Sequence, residues 1–201
     1  MNIKKVGQLF VDSLVGTDIK LKENEDGRLE SLESESAVTD FLRKKFDAKI
    51  DFIPKGHNRD FGDITVVLDG KEYPINVKMV GEGSSYNAGG PKLFNYILFD
   101  ETAPYWKTIV KNIQEKNPTT IKNDYYYLIV YKRSDKRPQF FGLTEVDDNC
   151  IITNPANPVQ FKYDLNTVVR SSKEKCNFIL GIFKEVLYKK AEPYLMLGGI
   201  Q

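Results

Sequence analysis

The segment FGDITVVLDGKEYPINVK (residues 61–78) contains two apolar runs joined by Asp69-Gly70. Asp-Gly between alternating apolar residues is the strongest short-range hairpin signal, because both positions tolerate the positive φ of a tight antiparallel turn. Strands are therefore expected at about 63–68 and 72–80. With a two-residue loop, Leu68 pairs with Lys71, Val67 with Glu72, Thr65 with Pro74 and Asp63 with Asn76. Strand alternation then places Ile64, Val66, Leu68, Ile75, Val77 and Met79 on one face, as core, and Asp63, Asn76 and Lys78 together on the other. A longer loop would shift the Asp63–Asn76 pairing. Pro74 has no N–H to donate, but as a non-hydrogen-bonded partner of Thr65 it turns that gap away from the first strand. Charged groups on interior strands are costly unless something pairs with them, and a metal ion and a phosphate would answer Asp63 and Lys78.

Outward from the hairpin, residues 3–14 carry Val6, Leu9, Phe10 and Leu14 at helical spacing. Lys22–Arg28 is polar and contains the turn signal Asp26-Gly27. Val38, Phe41, Leu42 and Phe46 form one stripe behind a run of acidic residues, which suits the positive end of a helix dipole, so a helix is expected over 33–46. GEGSSYNAGGPK (81–92) reads as a long flexible loop. Trp106, Ile109, Val110 and Ile113 predict a helix over 104–116. YYYLIVY (125–131) reads as a buried strand, turned by RSDKRP into a second strand near QFFGLTEV. A short strand is expected around 159–163. The C-terminal helix has Ser171 or Ser172 as its cap, with Glu174 in the box position for Ser171. Its apolar stripe is Cys176, Ile179, Leu180, Phe183, Val186 and Leu187. This order of elements implies an α/β (α+β) fold, a mixed central β-sheet flanked by helices, in a single domain over 1–201.

The chain has 201 residues, with 29 basic and 28 acidic side chains and a formal net charge of +1. That balance argues against a histone-like or ribosomal coating role, while local basic patches still allow a nucleic-acid enzyme. Cys150 and Cys176 have no metal-type spacing and suggest no disulfide framework. The start MNIKKVGQLF is too polar for a signal peptide, and there is no apolar run of about 18 residues. A cytoplasmic protein with no membrane association is expected.

At Asp63 in GDITVV and Lys78 in INVK the chain resembles the PD-(D/E)xK nuclease superfamily, whose signature is an aspartate at the start of one strand and an acidic-x-lysine on the next. Asn76 occupies the acidic position here, as Asn or Gln does in some type II restriction endonucleases of that superfamily. The polar segment after Lys78 is similar to the loop that follows the lysine in several restriction enzymes. The specific likeness covers about residues 33–90. It implies a restriction-endonuclease-like fold, double-stranded DNA as substrate and Mg²⁺ as cofactor. It also implies catalytic roles for Asp63, Asn76, Lys78 and Glu35.

The chemistry asks for these residue types. Phosphodiester hydrolysis needs an activated water and a stabilised phosphate, and a divalent metal serves both needs. Mg²⁺ takes hard oxygens, often one or two carboxylates plus waters. Asp63 supplies an anionic ligand, Asn76 an amide oxygen, and Lys78 a cation for the phosphate or the attacking water. Glu35, on the stripe of Val38 and Leu42, faces inward. The resemblance gives it the place of a helix glutamate near the metal, with Glu33 second. The expected metal set is Asp63, Asn76 and Glu35. The plainer alternatives are a strand cap for Asp63, a snorkelling lysine for Lys78, an ordinary buried amide for Asn76 and a solvated helix-start charge for Glu35.

Candidate DNA contacts are Ser84, Ser85, Asn87 and Lys92 in the glycine-rich segment, and Arg133, Lys136 and Arg137 at the tip RSDKRP, where an arginine can reach guanine in the major groove. A mobile loop and a solvated tip are the alternatives. His57 in KGHNRD and Asp60 are lesser candidates. The expected function is a type II restriction endonuclease, a sequence-specific double-stranded DNA endonuclease. A palindromic target would imply a homodimer, and a cognate DNA methyltransferase would be encoded nearby. The alternatives are a DNA-repair nickase or junction resolvase, and a non-catalytic DNA-binding protein on a nuclease fold.

Overall fold

The computed structural model describes residues 1–17, 27–54, 62–83, 85–132 and 134–197. In chain order the elements are α1 (Ile3–Leu14), α2 (Gly27–Phe46), β1 (Asp51–Phe52), β2 (Ile64–Leu68), β3 (Lys71–Val80), β4 (Tyr86–Gly89), α3 (Pro91–Phe99), α4 (Trp106–Lys116), β5 (Tyr126–Tyr131), β6 (Gln139–Gly142), β7 (Ile151–Ile152), β8 (Val159–Phe161) and α5 (Ser172–Leu197). They fall into two compact units: Met1–Ser84 with Tyr125–Leu143, and Ser85–Asp124 with Thr144–Gln201.

The first unit is built on a five-stranded sheet in the order β1-β2-β3-β5-β6. The β3–β5 pair is parallel and the other pairs are antiparallel, so the sheet is mixed. Asp69 and Gly70 both have positive φ, 51° and 76°, as a two-residue hairpin turn demands. The register is the expected one, with Leu68 opposite Lys71, Val67 opposite Glu72 and Thr65 opposite Pro74. Pro74 causes no loss on its other side either, because the β5 ladder begins one residue later, at Ile75–Tyr126. Ile64, Val66, Leu68, Ile75, Val77 and Met79 join one buried cluster with Val6 and Phe10 of α1 and Val38 and Leu42 of α2. Gly7 lets α1 approach the sheet, since a Cβ there would fall 2.0 Å from the Phe140 ring. Leu9, expected on the α1 stripe, is instead exposed, and Val11 takes a place in the core.

The second unit holds the antiparallel sheet β4-β8-β7 with α3, α4 and α5. Phe183 of α5 meets Phe94 of α3 at 5.2 Å and Trp106 of α4 at 5.5 Å between ring centroids. The α5 cap is the box built on Ser171: Glu174 accepts the Ser171 N–H at 2.7 Å, and the Ser171 hydroxyl accepts the Glu174 N–H at 3.4 Å. Of the expected α5 stripe, Cys176, Ile179, Phe183 and Val186 are buried. Both cysteines are free and buried.

Two more expectations need correction, and a third is refined. GEGSSYNAGGPK is not one long loop: it contains β4, and Pro91 opens α3 at a helix position where a missing N–H costs nothing. The α2 helix reaches back to Gly27, so the turn expected at Asp26-Gly27 is replaced at Gly27 by helix, while residues 18–26 lie outside the described residues. The second strand expected near QFFGLTEV is β6; it ends at Gly142, and Leu143–Glu145 continues as a short 3₁₀ turn. The architecture is the mixed α+β arrangement anticipated above. Among the described residues, no helix is long and apolar enough to cross a membrane.

Candidate functional site

The site follows from unequal strand lengths. The β2 ladder closes at Ile64–Ile75, whereas β3 continues to Val80. Past Ile75, no strand among the described residues lies on the β2 side of β3, and side chains take the N–H groups of Val77 and Met79. The Val77 N–H donates to Asp63 Oδ2 at 2.7 Å. The Met79 N–H donates to the Glu35 carboxylate. Alternate residues point the same way along a strand, about 6.6 Å apart. Two carboxylates are thus anchored side by side along one strand edge, with Lys78 between their donors.

Asp63 is held there by a close approach. A Cβ at Gly62 would lie 2.6 Å from the Ile75 carbonyl oxygen, and the Asp63 N–H donates to that oxygen at 2.9 Å. The chain therefore leaves the ladder one step before the expected Asp63–Asn76 pair. The carboxylate turns to the strand edge rather than lying across the sheet face from Asn76.

Glu35 sits one turn before Val38 on α2, with its side chain 12% exposed. The Lys78 ammonium donates to both of its oxygens, at 3.3 and 3.2 Å. Burial raises the Glu35 carboxyl above its ordinary 4.5; Lys78 opposes that rise and the nearby negative charge of Asp63 adds to it. Glu33, the second choice, is exposed.

Asn76 and Lys78 alternate with the core residues Ile75, Val77 and Met79, so they occupy the opposite sheet face. The Asn76 amide nitrogen donates to the Tyr125 hydroxyl at 3.4 Å. Its carbonyl oxygen, Oδ1, is buried and has no partner. Leaving such an acceptor unpaired costs about 1–3 kcal/mol, a cost that a cation or a bound water would remove.

The donors here are hard oxygens, the type a divalent cation takes. Among the described residues, no three His, Cys, Asp or Glu side chains converge as a metal-holding group, so the donors on offer are two carboxylates and an amide oxygen. Mg²⁺ is commonly held by no more than that, with waters and substrate phosphate completing its shell. The unsatisfied Oδ1 is the one of these donors that has no partner within the protein.

The other expected residues are arranged differently. The tip after β5 folds on α1, on the sheet face opposite Asn76 and Lys78. Arg137 pairs with Asp12 of α1, and the Lys136 ammonium lies over the Tyr131 ring at 5.5 Å. A cavity of about 500 Å³ opens beside them, lined by Leu14, Met79, Tyr131 and the tip residues. In the second unit, Ser85 is exposed, Lys92 lies in the first turn of α3, and the Asn87 carbonyl oxygen accepts from Gln160 at 2.8 Å. Ser84, Arg133, His57 and Asp60 lie outside the described residues. Gly62 and Tyr125 were not anticipated. Gly62 had a signal, a glycine directly before the candidate aspartate; Tyr125 had none, because a parallel strand neighbour cannot be paired by reading along the chain. No protein-family model matches the chain, and no curated protein matches it at a significant level.

Proposed function

We propose that this protein is a Mg²⁺-dependent endonuclease that cuts double-stranded DNA at a specific sequence, in the manner of a type II restriction enzyme, on a restriction-endonuclease-like fold. The observation carrying this reading is the pair of carboxylates, Asp63 and Glu35, anchored on alternate N–H groups of one strand edge beside Lys78 and the unpaired Asn76 oxygen. Asp63, Glu35 and Asn76 Oδ1 would hold the cation. When bound, Mg²⁺ supplies positive charge to the scissile phosphate and lowers the pKa of a water.

The protein's own groups do the remaining work. Val77 and Met79 fix the two carboxylates through backbone donors, so the ligands are preorganised. Lys78 is held by Glu35 at rest. In the working complex its ammonium would donate to a phosphate oxygen or orient the attacking water. Phosphate contacts set the register on the duplex, and contacts to base edges set the sequence. A palindromic target would make the working form a homodimer, and a cognate methyltransferase would protect the host site.

A second reading, a DNA-binding protein without cleavage, is favoured by two features: Asn76 adds no charge, and Lys78 is engaged by Glu35. Incubating plasmid or phage DNA with the protein and Mg²⁺, beside an EDTA control, separates the readings. Discrete fragments support the restriction enzyme. Nicks at branched or damaged DNA indicate a repair nickase or junction resolvase. Shifted but intact DNA indicates a binder.

A further inference from the structure

We infer that Tyr125 is a positioning residue for the cation, acting through Asn76: its hydroxyl accepts the amide N–H of Asn76 and so leaves the amide oxygen as the end open to the metal. The inference rests on the metal reading given above and names a residue which that reading does not use.

An asparagine, unlike an aspartate, has one end that attracts a cation and one that repels it. A half-turn about the last side-chain bond exchanges them. Replacing a carboxylate by an amide therefore creates an orientation requirement. Tyr125 meets it. Its oxygen lies 3.4 Å from the Asn76 nitrogen, and the residue is only 3% exposed. Its ring is held edge-on to Tyr127 at 5.3 Å, and the Tyr127 ring stacks on Phe141 at 5.9 Å. The backbone is tied as well: the Leu143 N–H donates to the Tyr125 carbonyl at 2.8 Å. The hydroxyl is thus a fixed point, and the Asn76 oxygen is left buried and unpaired at the other end of the amide.

The test is a thermal melt of the full-length protein over a Mg²⁺ titration, for wild type, Tyr125→Phe, Asn76→Asp and the double variant. Each is read against its own EDTA baseline, so a general loss of stability cancels. Tyr125→Phe removes one oxygen and keeps the ring. It should raise the Mg²⁺ concentration for half-maximal stabilisation about tenfold, the lower end of what losing a ligand-orienting partner costs. In the Asn76→Asp background, where both ends of the side chain are oxygen, the same change should shift that concentration less than about threefold, since coupled residues act non-additively. A Tyr125→Phe titration superimposable on wild type would overturn the inference and leave the metal reading intact. Equal shifts in both backgrounds would also overturn it, because Tyr125 would then act other than by orienting the amide. A wild-type protein whose melting ignores Mg²⁺ would overturn both.

Discussion

Asp63 accepts the Val77 backbone N–H at 2.7 Å, standing in for the strand that ends one residue after it in the ladder. The carboxylate therefore has a structural task beside any chemical one, and two substitutions separate them. Asp63→Asn keeps an oxygen for Val77 and removes the charge. We expect it to melt within a few degrees of wild type, to lose its response to Mg²⁺ and to lose cleavage. Asp63→Ala also strips Val77 of its acceptor and should cost a further 1–3 kcal/mol or about that. Chemical denaturation with a parallel digest checks both. Near-normal cleavage by Asp63→Asn would remove Asp63 from the chemistry.

Lys78 binds Glu35 through both carboxylate oxygens. Lys78→Met should abolish cleavage while tightening the resting grip on Mg²⁺, because a positive charge is removed next to the cation. A Mg²⁺ titration of melting temperature, set beside the cleavage rate, measures the two effects separately. Cleavage at the wild-type rate would leave Lys78 as a structural partner of Glu35 only.

The raised Glu35 carboxyl sets a pH dependence. In the metal-free protein, the folded chain holds more protons than the unfolded chain between 4.5 and the raised value, so this group's contribution to stability falls as pH rises across that interval. Metal binding needs the carboxylate, so apparent Mg²⁺ affinity should fall as pH drops through the same interval. Melting curves from pH 4 to 8, roughly one pH step apart, should therefore fall with rising pH across that region in EDTA and flatten there in saturating Mg²⁺. Glu35→Gln should flatten the EDTA curve, and retention of its slope would assign the titration to another group.

Gly62 is the least conspicuous part of the site. Any side chain there meets the Ile75 backbone, 2.6 Å from its carbonyl oxygen. Gly62→Ala should push Asp63 off the strand edge, lower stability by about 1–3 kcal/mol and weaken the response to Mg²⁺, although alanine is chemically inert. A variant with normal melting and normal Mg²⁺ titration would show that the approach relaxes without cost.

The Asp69-Gly70 turn, the Pro74 register and the face shared by Asn76 and Lys78 were all legible in the sequence, because they follow from period-two alternation and local turn chemistry. Glu35 was legible as an inward residue from its spacing to Val38 and Leu42. What the sequence concealed was non-local. The pairing of β3 with β5 brings Tyr125 to Asn76 across 49 positions, and parallel neighbours leave no turn between them to read. The α3 helix was hidden because LFNYILF (93–99) is apolar or aromatic at every position but Asn95, so the buried face of Leu93, Phe94, Ile97 and Leu98 does not stand out in the sequence. The aim of Asp63 depended on a tertiary detail, the packing of Gly62 on Ile75. Asp12, the partner of Arg137, lies 125 positions away and carries no mark of the pairing.

The run of β3 beyond its ladder with β2 is also an aggregation question. A strand edge with free N–H donors invites a second chain to add itself by backbone hydrogen bonding, and proteins commonly close such edges with charge. Here Asp63 and Glu35 occupy the donors of Val77 and Met79. A chain stripped of both carboxylates would lose its candidate chemistry and, in the same stroke, present an open template for strand addition. Selection acting on solubility alone would therefore favour keeping two acidic groups at this edge.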